Sequence, residues 1–333
     1  MDRGTDIEVL KAALNWLTQD HNVILITVVS SFGSSPRQPG AMMAIHPEGK
    51  FVGSVSGGCI EDDLLQKQFI GEFSESTPRF IEYGANSEQA QRVGLPCGGS
   101  IKLLVEKLEP ATQLSALIKL VESIQSRHLI KRQVCINTGE VNLHKINFPR
   151  SNEPEFIFTA EYVIKVFGPQ CRLMLIGAGE LSHRVAELAL TLDYEVIVCD
   201  PRTEYAHNWQ LDDTVFKSGA VDKTVKQMNP DSKTAILALA HSPLLEDNAV
   251  AVALKSDAFY IGVLGSKNNA RKLRERLISM GLDSKVIAQL HAPVGIDIGS
   301  KTPAEIAISV IADLIKVRNK LHTKRKSAKL SHV

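Results

Sequence analysis

The sequence predicts an α/β protein built in two parts, an N-terminal α/β domain followed by a doubly wound parallel sheet. Three observations carry this. After Gln170 the segments Arg172–Ile176, Glu195–Cys199, Thr234–Ala240 and Phe259–Leu264 are almost continuously apolar and alternate with amphipathic helices, the pattern of strands buried on both faces. Gly177-Ala178-Gly179 stands between the first of these strands and the helix after it. Before residue 110, short apolar strands end repeatedly in glycine- and serine-rich turns, and two of these turns hold a cysteine.

In chain order, Ile7 to Gln19 has apolar residues at helical spacing and predicts a helix. Strands Val23–Val29 and Ala41–His46 follow, and Pro47-Glu48-Gly49-Lys50 turns the chain back into strand Phe51–Val55. Helix 60–70 and strands 79–83 and 101–107 complete a domain over 1–110, with Glu109-Pro110 as its boundary. Residues 111–167 read as an intervening α/β segment: a helix over 111–127, strands over 131–136 and 155–166, and a polar loop from Asn142 to Glu155. Phe167-Gly168-Pro169-Gln170 is the next hinge, and 168–320 forms the parallel-sheet domain, with helices over 181–192, 246–255 and 267–280. Thr302, Pro303 and Glu305 make a capping box before the last helix. Residues 321–333 read as a basic, solvated tail; nucleic-acid or membrane contact is the lesser reading.

Bulk properties narrow the function. A length of 333 residues fits two cores. A formal charge of +1 carries neither a nucleic-acid footprint nor an acidic character. The five cysteines are odd in number and contain no C-x-x-C pair, which argues against a disulfide framework and a zinc knuckle and for a reducing cytoplasm. No apolar run approaches the about 20 residues of a membrane span.

Gly57-Gly58-Cys59-Ile60-Glu61-Asp62 places a thiol between a strand and a helix. Two glycines there let backbone N–H groups converge on an anion, and the positive end of the helix favours a thiolate. The other reading is a small buried residue filling a tight turn. Gly94-Leu95-Pro96-Cys97-Gly98-Gly99-Ser100 sets a second cysteine among glycines, before an apolar strand. Ser34-Ser35-Pro36-Arg37 follows another strand, and its arginine can fork to a phosphate or carboxylate. Together the three segments predict one anion site with thiols nearby; each alone is also an ordinary turn.

Gly177 and Gly179 follow a strand, open a helix and have Asp200 at the end of the next strand, the context of a Rossmann-like dinucleotide fingerprint. Ser182 replaces the third glycine, and Asp200 is placed to bond a ribose hydroxyl. A nucleotide, NAD(P) or no nucleotide suits the same turn. Gly265-Ser266-Lys267 is a second strand-to-helix turn at the carboxyl ends of the same sheet, an anion site or an ordinary helix start. Asp297, between two glycines, reads either as a ligand for a metal or hydroxyl or as a partner of its own loop backbone.

These segments, together with Asp200-Pro201-Arg202, Gly262-Val263-Leu264-Gly265-Ser266 and Pro293-Val294-Gly295-Ile296-Asp297-Ile298-Gly299, resemble the xanthine dehydrogenase accessory protein family, the XdhC/CoxI type. The resemblance spans nearly the whole chain. It implies a molybdenum cofactor-binding maturation factor rather than an enzyme. Such a factor supports sulfuration of the cofactor (molybdopterin, as such or as a dinucleotide) with a cysteine desulfurase, and its insertion into a molybdenum hydroxylase apoenzyme. It also implies a homodimer. Carried over, Cys59 and Cys97 become the cofactor-proximal thiols and transient molybdenum ligands; Arg37, Gly57, Gly58, Gly98 and Gly99 become candidates for the pterin phosphate. Thiolates suit a soft metal, and a glycine loop at a helix start suits a phosphate. Two positions depart from the family pattern: Glu180 follows the G-A-G where histidine is usual, and Ala240-His241-Ser242-Pro243 lacks the acidic neighbour of its histidine. The alternatives are an NAD(P)- or nucleotide-dependent enzyme using the Rossmann half, and a scaffold that recruits a desulfurase without touching the cofactor.

Overall fold

A computed structural model of the chain describes residues 6–33, 37–58, 60–84, 99–146, 155–240 and 243–330. The chain divides into two compact units, Met1–Pro169 and Gln170–Val333.

In the first unit, helix α1 (Asp6–Thr18) precedes strands β1 (Val23–Phe32), β2 (Met42–Ile45) and β3 (Phe51–Gly53). Helix α2 (Glu61–Phe69), strands β4 (Arg79–Tyr83) and β5 (Ser100–Leu108), and helix α3 (Pro110–Gln125) follow. The sheet runs β3-β2-β1-β5-β4 and every pairing in it is antiparallel. Alternation along β1 feeds two cores. Ile24, Ile26 and Val28 pack with Ile60 and Leu64 near α2, whereas Val23 and Leu25 pack with Leu10, Leu117 and Leu120 of α1 and α3. A second antiparallel sheet, β7-β6-β9-β8, is made by β6 (Leu129–Cys135), β7 (Val141–Ile146), β8 (Phe156–Phe158) and β9 (Tyr162–Phe167). Val29 and Leu104 of the first sheet pack with Val134 and Val163 of the second.

This second sheet corrects two expectations. Residues Val141–Ile146 lie on a strand, not in the polar loop predicted from 142. Their alternation is muted because the strand is at a sheet edge and none of its residues is fully buried. The single strand expected over 155–166 is a hairpin, turned where Tyr162 N and Glu161 N donate to Thr159 Oγ1 at 3.0 and 3.3 Å.

The second unit contains β10 (Arg172–Ile176), α4 (Glu180–Thr191), β11 (Glu195–Cys199), α5 (Thr203–Asn208), β12 (Thr214–Lys217) and α6 (Val221–Met228). It continues with β13 (Thr234–Ala238), α7 (Pro243–Ala253), β14 (Tyr260–Val263), α8 (Lys267–Ser279), α9 (Ser284–Ile287), β15 (Leu290–His291) and α10 (Pro303–Leu330). All pairings are parallel, in the order β12-β11-β10-β13-β14-β15. The order reverses between β10 and β13, so this is the doubly wound sheet expected. Val185, Ala186, Ala307 and Val310 from α4 and α10 form one apolar layer, and Val225, Val250, Leu273 and Leu277 from α6 to α8 form the other. Sequence periodicity had not marked α5, β12 or α6: α5 buries no residue, and β12 is a half-exposed edge strand. The capping box holds, with Glu305 Oε2 accepting from Thr302 N at 2.9 Å and Glu305 N donating to Thr302 Oγ1 at 3.3 Å. Among the described residues no helix is long and apolar enough to cross a membrane.

Candidate functional site

Strand register brings the strand ends that flank the three glycine- and serine-rich segments to one end of the first sheet. Phe32 at the end of β1 pairs with Ser100 at the start of β5, and Tyr83 at the end of β4 pairs with Ile101. On the other side, Thr27 pairs with Met42 at the start of β2, and Gly53 at the end of β3 pairs with Met43. The loops 33–41, 54–60 and 84–99 therefore all leave the sheet at the same end. Gly84 (φ +81°) sits against Gly99: a Cβ on Gly84 would lie 2.2 Å from the Gly99 carbonyl oxygen. The long loop thus starts and finishes at a single neck. Arg37 is half-buried on the first loop. Lys165 of β9 donates to the Gly40 carbonyl at 2.5 Å and pairs with Asp6 at 2.7 Å, which ties that loop to the second sheet.

The turn over 54–60 does bind an anion, and the anion is Glu61. Its Oε1 accepts from Ser54 Oγ at 2.7 Å, Val55 N at 3.0 Å and Ser56 N at 2.9 Å. Its Oε2 accepts from Gly58 N at 3.0 Å, Ile60 N at 3.2 Å and the Ser56 hydroxyl. Gly57 N donates to Ser54 Oγ at 2.9 Å, and Ile60 N also donates to Ser56 Oγ at 3.0 Å. Gly57 and Gly58 adopt φ of +86° and +115°, conformations open to glycine. Burial alone would raise the Glu61 pKa; the hydrogen bonds from Ser56, Ser54 and the backbone outweigh it and bring it down to about 2. The sequence offered these amides to an external phosphate; in the structure the donors of Gly57 and Gly58 have partners within the chain. Glu61 was legible only as an acid complementing the helix dipole. The signal missed is Ser54-x-Ser56-Gly57-Gly58 followed by an acid three residues on, a turn whose carboxylate folds back. Cys59, Cys97 and Gly98 lie outside the described residues, as do Ser34, Ser35, Pro36 and His241; Gly99 is buried at the neck.

In the second unit the G-x-G turn has the expected shape. Gly177 is at φ +96°, and a Cβ on it would lie 2.8 Å from the Cβ of Ala240. Gly179 caps α4 at φ −80°, with nothing within 4 Å of a Cβ there, which leaves the close approach a phosphate needs. Ser182 is buried, and its hydroxyl has no partner among the described residues. Asp200 is 1% exposed and already engaged. It accepts from Ala178 N at 2.9 Å, from Arg202 N at 3.0 Å, and from the Arg202 guanidinium at 2.9 and 2.7 Å. That guanidinium lies 3.6 Å from the Tyr205 ring centroid. Burial would raise the Asp200 pKa, yet the bonds from the Arg202 side chain and from the Arg202 and Ala178 amides hold it below the usual carboxylate range. The fit to a dinucleotide is therefore partial: the phosphate turn is open, but the ribose carboxylate is held by Arg202.

Gly265 lines a cavity of about 240 Å³ with Ala240, Val263, Leu264, Asn269 and Arg276. This is smaller than the roughly 300–1,000 Å³ of pockets that enclose a cofactor. Ser266 caps α8, its hydroxyl accepting from Asn269 N at 3.2 Å. Asp297 is exposed. Among the described residues no group of three or more His, Cys, Asp or Glu is placed to hold a metal ion.

Fold and site define a two-part protein, in which a loop cluster at the end of an antiparallel sheet precedes a Rossmann unit. Residues 16–84 match the model of the XdhC and CoxI family, and residues 173–314 match that of the XdhC Rossmann domain. The chain belongs to the XdhC and CoxI family. It is 26% identical over 340 residues to a Bacillus subtilis (strain 168) protein named as a probable xanthine dehydrogenase component, covering 92% of this chain and 96% of that one. It is 26% identical over 310 residues to the molybdenum cofactor insertion chaperone PaoD of Escherichia coli (strain K12), covering 93% and 88%. Among solved structures, that of a xanthine dehydrogenase from Bacillus halodurans shares the fold, with a TM-score of 0.76 at 23% identity over 95% of this chain and 96% of that one.

Proposed function

We propose that this protein is a maturation factor that binds the molybdenum cofactor and supports its sulfuration and insertion into a hydroxylase of the xanthine dehydrogenase type. The observation that carries the reading is the gathering of loops 33–41, 54–60 and 84–99 at one sheet end, because those loops hold Arg37, Cys59 and Cys97. The likeness to a molybdenum cofactor insertion chaperone along most of both chains supports it. In this reading Cys59 and Cys97 are transient soft ligands for molybdenum or sulfur, and Arg37, Gly98 and Gly99 are the candidates for the pterin phosphate. A carrier has to release its cargo, and two thiols on loops bind more reversibly than a closed four-ligand cage. A cysteine desulfurase and the hydroxylase apoenzyme are the partners, and the factor works in the cytoplasm as a homodimer. The Rossmann unit has a phosphate turn of its own at Gly177 and Gly179, open at Gly179, which suits a nucleotide phosphate.

The test is reconstitution. An apo-hydroxylase of the xanthine dehydrogenase type is incubated anaerobically with cofactor released from a mature enzyme, with and without this protein. The reading predicts that the protein raises the recovered activity well above that from free cofactor. Equal recovery in both samples would contradict it.

A further inference from the structure

We propose that Glu61 is the positioning residue of the cofactor loop: its carboxylate is spent inside the chain, and it holds residues 54–58 and 60, the backbone on both sides of position 59, in one shape. The proposal rests on the carrier reading above and deepens it.

The geometry is unusual for an acid in the first turn of a helix. Such residues ordinarily face solvent and complement the helix dipole, as the exposed Asp62 does here. Glu61 is 5% exposed and turns back on the chain that precedes it. Each of its oxygens accepts three donors, so the buried carboxylate is fully satisfied. The donors come from Ser54, Val55, Ser56, Gly58 and Ile60, which is nearly every described residue of the turn. Gly58 N and Ile60 N, on the two sides of position 59, reach the same oxygen. One side chain thus fixes the backbone before and after the cysteine. A further acid of the same helical turn, Asp63, anchors the helix from the other direction by accepting from Tyr83 OH at 2.5 Å, beside the neck of the loop that holds Cys97. The shape of the 54–60 turn is accordingly written into α2, with Ser54 and Ser56 as its side-chain struts.

The experiment compares wild type with Glu61→Gln and Ser54→Ala, using hydrogen exchange over residues 54–64 and retention of released molybdenum cofactor measured by pterin fluorescence. Glu305→Ala, at the exposed helix cap of the other unit, is the control. The expected result for Glu61→Gln is exchange faster by about tenfold and cofactor retention weaker by about tenfold, the scale of losing a bond to a charged group. Ser54→Ala leaves the carboxylate five donors and keeps the turn folded; it should move both readouts in the same direction by a smaller factor. Glu305→Ala should move neither. Faster exchange with unchanged retention, or no change in either readout, would overturn the proposal, and Ser54→Ala decides if Glu61→Gln does not fold. If wild type retains no cofactor, the carrier reading fails instead, and slow wild-type exchange lost in Ser54→Ala still separates a Glu61-held turn from one held otherwise.

Discussion

Glu106 and Arg132 meet between the two sheets of the first unit as a bidentate ion pair, at 2.7 and 3.1 Å, with each residue less than a tenth exposed. Glu106 lies on β5 and Arg132 on β6, so the pair locks the sheet that carries the loops to the sheet behind it. Lys165, beside Arg132 in the register of β6 and β9, extends the lock to the Gly40 carbonyl.

Removing one partner strands a buried charge. Glu106→Gln is expected to lower stability by about 3–5 kcal/mol, whereas replacing both residues by methionine should cost far less. Urea unfolding of the two variants and wild type checks this; equal losses in both variants would show that the pair does not act as a unit.

Asp200 is held by Arg202 in the second unit, and it titrates below its ordinary value. A depressed carboxylate contributes stability that is fully present above the unfolded pKa, near 3.9, and is lost as pH falls through the lower folded value. Asp200→Asn should therefore lower stability at neutral pH by about 1–3 kcal/mol, with the gap to wild type closing in acid. Denaturant titrations at pH 7 and pH 3 measure it.

Glu61 gives the stronger pH signature. Its pKa of about 2, against an ordinary value of 4.5, corresponds to a contribution on the order of 3 kcal/mol. The sign follows from the depressed value: the contribution is present above about pH 4.5 and drains away as the pH approaches 2. Stability of Glu61→Gln should consequently fall less steeply than that of wild type between pH 5 and pH 3. Parallel curves would mean that the carboxylate is ordinary.

The parallel half was the more legible part of the fold. Its strands are buried on both faces, so Arg172–Ile176 and Thr234–Ala238 stand out as apolar runs, and Gly177, Gly179 and Asp200 fall where the turn requires them. Val141–Ile146 stayed hidden because an edge strand with no fully buried residue needs no apolar alternation. At the candidate site, composition marked the three loops, but only strand register shows that they leave one sheet end. The roles of Glu61 and Arg202 were invisible for a related reason. Both spend their charge inside the chain, and a sequence does not tell a carboxylate or guanidinium that awaits a ligand from one already paired.

Gly84 tests the neck of the loop that contains Cys97. Gly84→Ala forces a Cβ to 2.2 Å from the Gly99 oxygen at φ +81°. Gly71→Ala is the matched control, at φ +76° with nothing within 4 Å, and should cost only the left-handed penalty of about 1–2 kcal/mol. Thermal unfolding should place Gly84→Ala clearly below Gly71→Ala, and cofactor retention should fall for the first variant alone.

The most direct test of the central claim, that the loop cluster holds the molybdenum cofactor through its cysteines, is anaerobic transfer of released cofactor onto the purified protein, followed by gel filtration. Molybdenum and pterin fluorescence are read in the protein fraction for wild type, Cys59→Ala and Cys97→Ala. The account predicts co-elution with wild type and its loss in Cys59→Ala, with Cys97→Ala weakened. No co-elution with wild type when the cofactor is shown to be intact, or undiminished co-elution when both cysteines are replaced together, would contradict it.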